Sequence, residues 1–174
     1  MLQALSDWMT SLGFHSWVGG YEWVWPLCEI LHFVGMALLI GWVGLLDLRI
    51  LGVGKGIPFA PLQRFVPLGI AGFLLNATTG FIFIAGSPEY RPIDYFTGNL
   101  AFELKMLVIV LAGANALTFY ALGVPRRLAR LGPDADAPRG AKAIALASLL
   151  LWTAVILFGR LIMYDDSLRY TLGL

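Results

Sequence analysis

Four apolar runs, each about as long as a bilayer is thick, constrain this chain more than anything else in it. A membrane-spanning helix needs about 20 consecutive, mostly apolar residues, and segments 25–46, 66–86, 101–123 and 141–163 each supply them. With 59% hydrophobic and 13% charged residues, a chain of 174 residues has too little polar surface for a soluble globule. The expected fold is all-α: an integral-membrane, antiparallel four-helix bundle forming one domain over residues 1–174. Neither an internal repeat nor a second domain is visible.

Charge placement orients the bundle. Basic residues in short loops favour the cytoplasmic side. The loop after the first run carries Arg49, Lys55 and Arg64; the loop before the last carries Arg126, Arg127, Arg130, Arg139 and Lys142. The other loop balances Arg91 against Glu89 and Asp94, the segment before the first run has no Lys or Arg, and the tail has only Arg169. Both termini are therefore expected outside. The net charge of +1 says little about partners, since both signs sit mostly in the loops, and no basic stripe points to nucleic acid. Cys28 is the only cysteine, which excludes an intrachain disulfide. No cleavable signal peptide is expected, because the first twenty residues carry no Lys or Arg and no short apolar core before a small-residue site.

Outside the spans, Leu2, Leu5, Met9 and Leu12 recur at helical spacing and predict a short helix over residues 2–13, ending at Gly13. With Phe14, Trp17, Tyr21, Trp23 and Trp25 following, it reads as an interfacial helix at the outer face, where aromatic rings favour the headgroup region. Gly35, Gly41 and Gly44 in the first span, Gly69, Gly72 and Gly80 in the second, and Ala112, Gly113, Ala114 and Ala116 in the third offer small surfaces for close helix contact. Residues 132–140 read as a flexible cytoplasmic turn.

The candidate site comes from depth. Threading the spans at about 1.5 Å per residue puts Glu29 and His32, Glu103 and Lys105, and Arg160 and Tyr164 near the same, outer face, with Thr78, Thr79 and Gly80 in the same layer. A charge within a span costs about 2.5–3.5 kcal/mol on insertion scales, so it usually faces a partner, a cavity or a ligand. The plainer explanation is that Lys105 and Arg160 snorkel to the interface. His32, roughly 10 Å inside its helix, is harder to explain that way.

Three ligands fit this layer to different degrees. Cys28, His32 and Met36, four apart on one stripe, are soft enough for copper, with Met9 and His15 as possible helpers. Yet three residues over two turns of one helix cannot close on one ion, so copper is the weakest option. A b-type haem would take His32 as metal ligand and Lys105 and Arg160 for its propionates. His15 is the only other histidine available for a second axial position. A quinone asks less: a His or Tyr beside an apolar channel. Glu29, His32, Lys105, Arg160 and Tyr164 are the candidate cofactor-binding residues. No nucleophile triad, phosphate loop or metalloprotease spacing is present. Asp47 and Arg49 suggest a local ion pair or a contact with the second span, and Asn115 a hydrogen bond to a neighbouring helix.

Glu29-x-x-His32, the Gly-rich run to Asp47-Leu48-Arg49, Thr79-Gly80, Phe102-x-x-Lys105 and Gly159-Arg160 with Tyr164 resemble an uncharacterised family of small four-helix bacterial inner-membrane proteins. The resemblance covers roughly residues 25–164 and implies the fold, the bacterial inner membrane and the importance of those positions, but no activity. A fainter likeness, in helix count and a membrane His, is to copper-resistance membrane proteins and b561-like cytochromes. The chain lacks the paired histidines of the latter. Two functions follow as expectations. One is electron transfer with haem or quinone in the outer half of the bundle. The other is an accessory or structural subunit, in a homo-oligomer or a larger membrane complex, with the polar layer fixing helix register.

Overall fold

An amide with no water to bond is satisfied only within its own helix, and each of the four apolar runs is helical throughout. The computed structural model describes residues 1–132 and 134–173, with no strand among them. In chain order the helices are α1 (Leu2–Ser11), α2 (Phe14–Gly20), α3 (Val24–Leu51), α4 (Phe59–Gln63), α5 (Val66–Ala85), α6 (Pro92–Gly98), α7 (Leu100–Ala121), α8 (Val124–Ala129), α9 (Arg139–Leu161) and α10 (Asp165–Leu172). A 3-10 turn, Ile162–Tyr164, joins the last two.

Local chemistry sets the boundaries. The expected helix over 2–13 is α1, ended as expected at Gly13, which takes φ +73°, a left-handed conformation, and α2 opens directly after it. α3 runs five residues past its expected end and stops where Gly52 takes φ +105°. The Asn99 side chain accepts the Phe102 amide at 2.8 Å and starts α7.

The four long helices pack in the order α5–α3–α9–α7: α3 lies against both α5 and α9, and α7 lies against α9. α5 and α7 pack on each other marginally at most, so the fourth side of the bundle is its loosest. The closest seam is α3–α5. A Cβ at Gly72 would stand 2.7 Å from the Gly35 carbonyl oxygen, and one at Gly69 would stand 2.5 Å from the Trp42 ring. Gly35, Gly69 and Gly72 thus serve as expected. Gly41, Gly44 and Gly113 do not, having no neighbour within 4 Å. Large apolar side chains such as Phe33, Val110, Leu117 and Leu150 are exposed around the bundle, a surface suited to lipid and unsuited to water.

The two ends differ. At the basic end, α4, α8 and the chain before α9 close over a buried cluster that includes Leu46, Ile50, Phe59, Leu62, Val124, Leu128 and Ala141. Arg49 is buried there. Its Nε donates to Ile57 O at 2.6 Å, its terminal nitrogens reach Ala135 O at 3.4 and 3.5 Å, and its guanidinium lies 4.1 Å from the Phe59 ring centre. The expected pairing of Asp47 with Arg49 is therefore replaced by a clasp between two loops. Lys55 and Lys142 meet on Asp136, at 2.9 and 3.3 Å. Residues 132–140, read as a flexible turn, are tied down where described.

At the terminal end, α1 packs on α6 and α2 on α5. Ser6 Oγ accepts the Ile93 amide at 3.1 Å, and Asp165 Oδ1 accepts the Ala101 amide at 2.8 Å. Asn99 donates to Ile162 O at 3.0 Å. These bonds fix the first turn of α7 and the last turns of α9, which carry the candidate polar residues.

Candidate functional site

The site starts from a stripe on α5. Gly72, Asn76, Thr79 and Phe83 are spaced 4, 3 and 4 apart, which lays them along one face of the helix. α3 brings His32 to that face. Thr79, buried, lies 2.8 Å from Leu75 O and 3.3 Å from Asn76 O, contacts that take its hydroxyl hydrogen. His32 Nδ1 lies 2.7 Å from the Thr79 oxygen, and with the hydroxyl hydrogen given to Leu75 O the bond between them runs from Nδ1–H to Thr79. The imidazole is thereby held in the tautomer whose Nε2 carries a free lone pair, the device that usually orients a ligating or proton-accepting histidine. The Phe83 ring packs 5.3 Å from the imidazole, and Gly80 leaves room beside its Cε1.

The other two long helices complete the level. Lys105 of α7 lies with its side chain across Gly159 of α9, where a Cβ would stand 3.4 Å from Nζ. It is half-buried, lies within electrostatic reach of His32, and has no hydrogen-bond or ion-pair partner among the described residues. Below this level, Asn76 donates to its own helix at Gly72 O, 3.1 Å away, and its Oδ1 is buried without a partner. Sequence reasoning missed Asn76. Its spacing from Gly72 and Thr79 was the available signal.

The remaining predicted residues lie elsewhere. Glu29 is exposed and accepts from Trp25 Nε1 at 3.1 Å, so it pairs with neither His32 nor Lys105. Arg160 and Tyr164 are exposed, and the guanidinium lies 5.4 Å from the centre of the Tyr164 ring. Thr78 and Glu103 are exposed too. His15 is held at the mouth of the terminal end, its Nδ1 2.9 Å from Ser87 O, beside a cleft of about 380 Å³ lined by Thr10, Glu89 and Arg91 among others. Cys28 is buried in an apolar cluster with Val18 and Val24. Asn115 donates to Ile144 O of α9 at 3.2 Å, the interhelical bond its position predicted.

The donor set discriminates between ligands. A macrocycle cannot enter between α3 and α5, whose backbones touch at Gly35 and Gly72, one turn from His32. His15, tied to Ser87, supplies no second axial nitrogen as placed. A smaller ring needs one donor and one acceptor at one level, and Lys105 and His32 Nε2 are such a pair.

Four helices long and apolar enough to cross a bilayer define the class: this chain has the make-up of a multi-pass helical membrane protein. No family model, curated protein or solved structure matches it.

Proposed function

We propose that this is a small bacterial inner-membrane protein of electron-transfer type that binds a quinone in the outer half of its bundle. Both termini lie outside in this reading, as the basic end predicts. The observation that carries it is the 2.7 Å bond between His32 Nδ1 and Thr79, which leaves Nε2 unengaged, together with Lys105, within electrostatic reach of His32 and without a partner among the described residues. A bound quinone would supply two-electron, two-proton chemistry. Lys105 would hold a carbonyl oxygen through a donated hydrogen bond, and His32 Nε2 would serve as the proton acceptor. Thr79 keeps the imidazole in the tautomer able to do so. The loosely packed side between α5 and α7 gives a lipid-dissolved ring a lateral way in. Arg160 and Tyr164 lie outside this pair. Haem b, with His32 as axial ligand, is the second cofactor the layer could hold, on the side away from α5.

The test is an ultraviolet–visible spectrum of the detergent-purified protein, oxidised and then dithionite-reduced, followed by solvent extraction and mass analysis. A flat visible spectrum with extractable quinone, lost in His32→Ala and reduced several-fold in Thr79→Val, supports the proposal. A Soret band that shifts on reduction and disappears in His32→Ala replaces quinone with haem. Absence of both sinks the redox reading. The layer would then be a buried register-fixing network in an accessory subunit, and Lys105→Ala would be expected to abolish assembly with a partner chain.

A further inference from the structure

At the basic end, α4 buries Phe59 and Leu62 while α8 buries Val124 and Leu128. Gln63 Nε2 donates to Pro125 O at 2.7 Å and ties the two short helices together. Arg64 follows Gln63 and Arg126 follows Pro125, so this bond brings two cationic positions side by side, with Arg127 next in sequence. All three are exposed, and none has a carboxylate or a side-chain hydrogen-bond acceptor among the described residues. Of the other basic groups of this end, Arg49 is spent on loop carbonyls and Lys55 and Lys142 share Asp136; Arg130 and Arg139 are exposed as well, but neither follows directly on the Gln63–Pro125 tie. Exposed cations carried on two short helices tied together in this way make a positive surface that favours an anion.

Height in the membrane narrows the anion. α4 leads directly into α5, and α8 follows α7 through Gly123, so both lie where the spans end. Phe65 and Leu122, next to them in sequence, are 51% and 53% exposed. A ligand here meets guanidinium above and apolar surface below, which is the make-up of a phospholipid. The fork of a guanidinium matches phosphate oxygens two at a time. A zwitterionic headgroup would bring its own cation against the cluster; an anionic one would not.

We infer that Arg64, Arg126 and Arg127 form a site for the phosphate of an anionic phospholipid from the surrounding membrane. The site is independent of what His32 binds. Native mass spectrometry of the full chain, released from mixed micelles with equal phosphatidylglycerol and phosphatidylcholine, tests it. The wild type should retain phosphatidylglycerol several-fold over phosphatidylcholine. The combined Arg64→Gln, Arg126→Gln and Arg127→Gln variant should lose that preference, while Arg91→Gln at the opposite end keeps it. Millimolar inorganic phosphate should leave the lipid bound. The inference is overturned if the wild type shows no preference, if the preference survives the triple variant, or if inorganic phosphate displaces the lipid and so marks a free-anion site. Should the triple variant fail to fold, the wild-type preference and the three single variants, each expected to weaken it, decide the matter.

Discussion

At Gly72 an added methyl has nowhere to go: its nearest neighbours would be the Gly35 oxygen and the Leu39 nitrogen, both at 2.7 Å. Both are backbone, so relief requires α3 and α5 to move apart, and overpacking of this kind typically costs about 1–3 kcal/mol. Gly72→Ala should lower the thermal midpoint in detergent and weaken the His32–Thr79 bond two turns along the same seam. Gly41→Ala, facing open space, should be neutral or slightly stabilising, since Ala exceeds Gly in helix propensity by up to about 1 kcal/mol. Equal effects at the two glycines would mean that the seam is not tight. Close contact was expected at both glycines, and only Gly72 makes it. Glycines 35, 41, 44, 69 and 72 look alike in sequence, and only the partner helix distinguishes them. The polar layer shows the same limit. Counting residues gives height along a span, and the layer drawn that way includes His32 and Thr79, which meet at 2.7 Å. Rotation about the axis is what sends Glu29 and Arg160 outward. α3 and α7 are apolar on every side, so no stripe marks an inner face.

The long helices were readable because twenty apolar residues admit no other fold in lipid. The short ones at the ends were not. α4 and α8 have five and six residues, too few for a periodic pattern, and they are held by contacts distant in sequence, such as Gln63 to Pro125. The Lys55–Asp136–Lys142 clasp is another such contact, and it makes a prediction at the scale of these connections. The hydrogen bond from Lys55, then that from Lys142, holds the Asp136 carboxyl below the ordinary carboxylate range. A carboxyl depressed by folding contributes stability above its unfolded value and loses it as pH falls through the folded one. The clasp should therefore persist through mildly acidic pH and open only below the ordinary aspartate range. Titration of Asp136 by NMR in detergent should give a low midpoint that rises in Lys55→Gln, and rises less in Lys142→Gln. A midpoint unmoved by both substitutions would show that the clasp does not form in solution.

For the whole molecule, the proposed topology of four crossings puts both termini on one side of a bilayer and the Asp136 clasp on the other. Two exposed glycines report on this without disturbing packing: Gly19 lies beyond the start of α3's neighbour α2, and Gly132 lies in the loop before α9, each with no atom within 4 Å of a built Cβ. Cys28, buried and the only native thiol, is first replaced by serine. In that background a membrane-impermeant maleimide should label Gly19→Cys in intact cells and Gly132→Cys only after permeabilisation. The direction rests on charge. Lys55, Arg64, Arg126, Arg127, Arg130, Arg139 and Lys142 crowd one end, while Arg91 and Arg169 are the only Lys or Arg in the loop and tail of the other. Inverted labelling would reverse the bundle and carry the His32–Lys105 layer to the inner leaflet, where the proposed proton acceptor would discharge to the cytoplasm. Labelling of both sites from one side would mean an even number of crossings between them, where α3, α5 and α7 make three. The antiparallel order α5–α3–α9–α7 would then fail along with the site built on it.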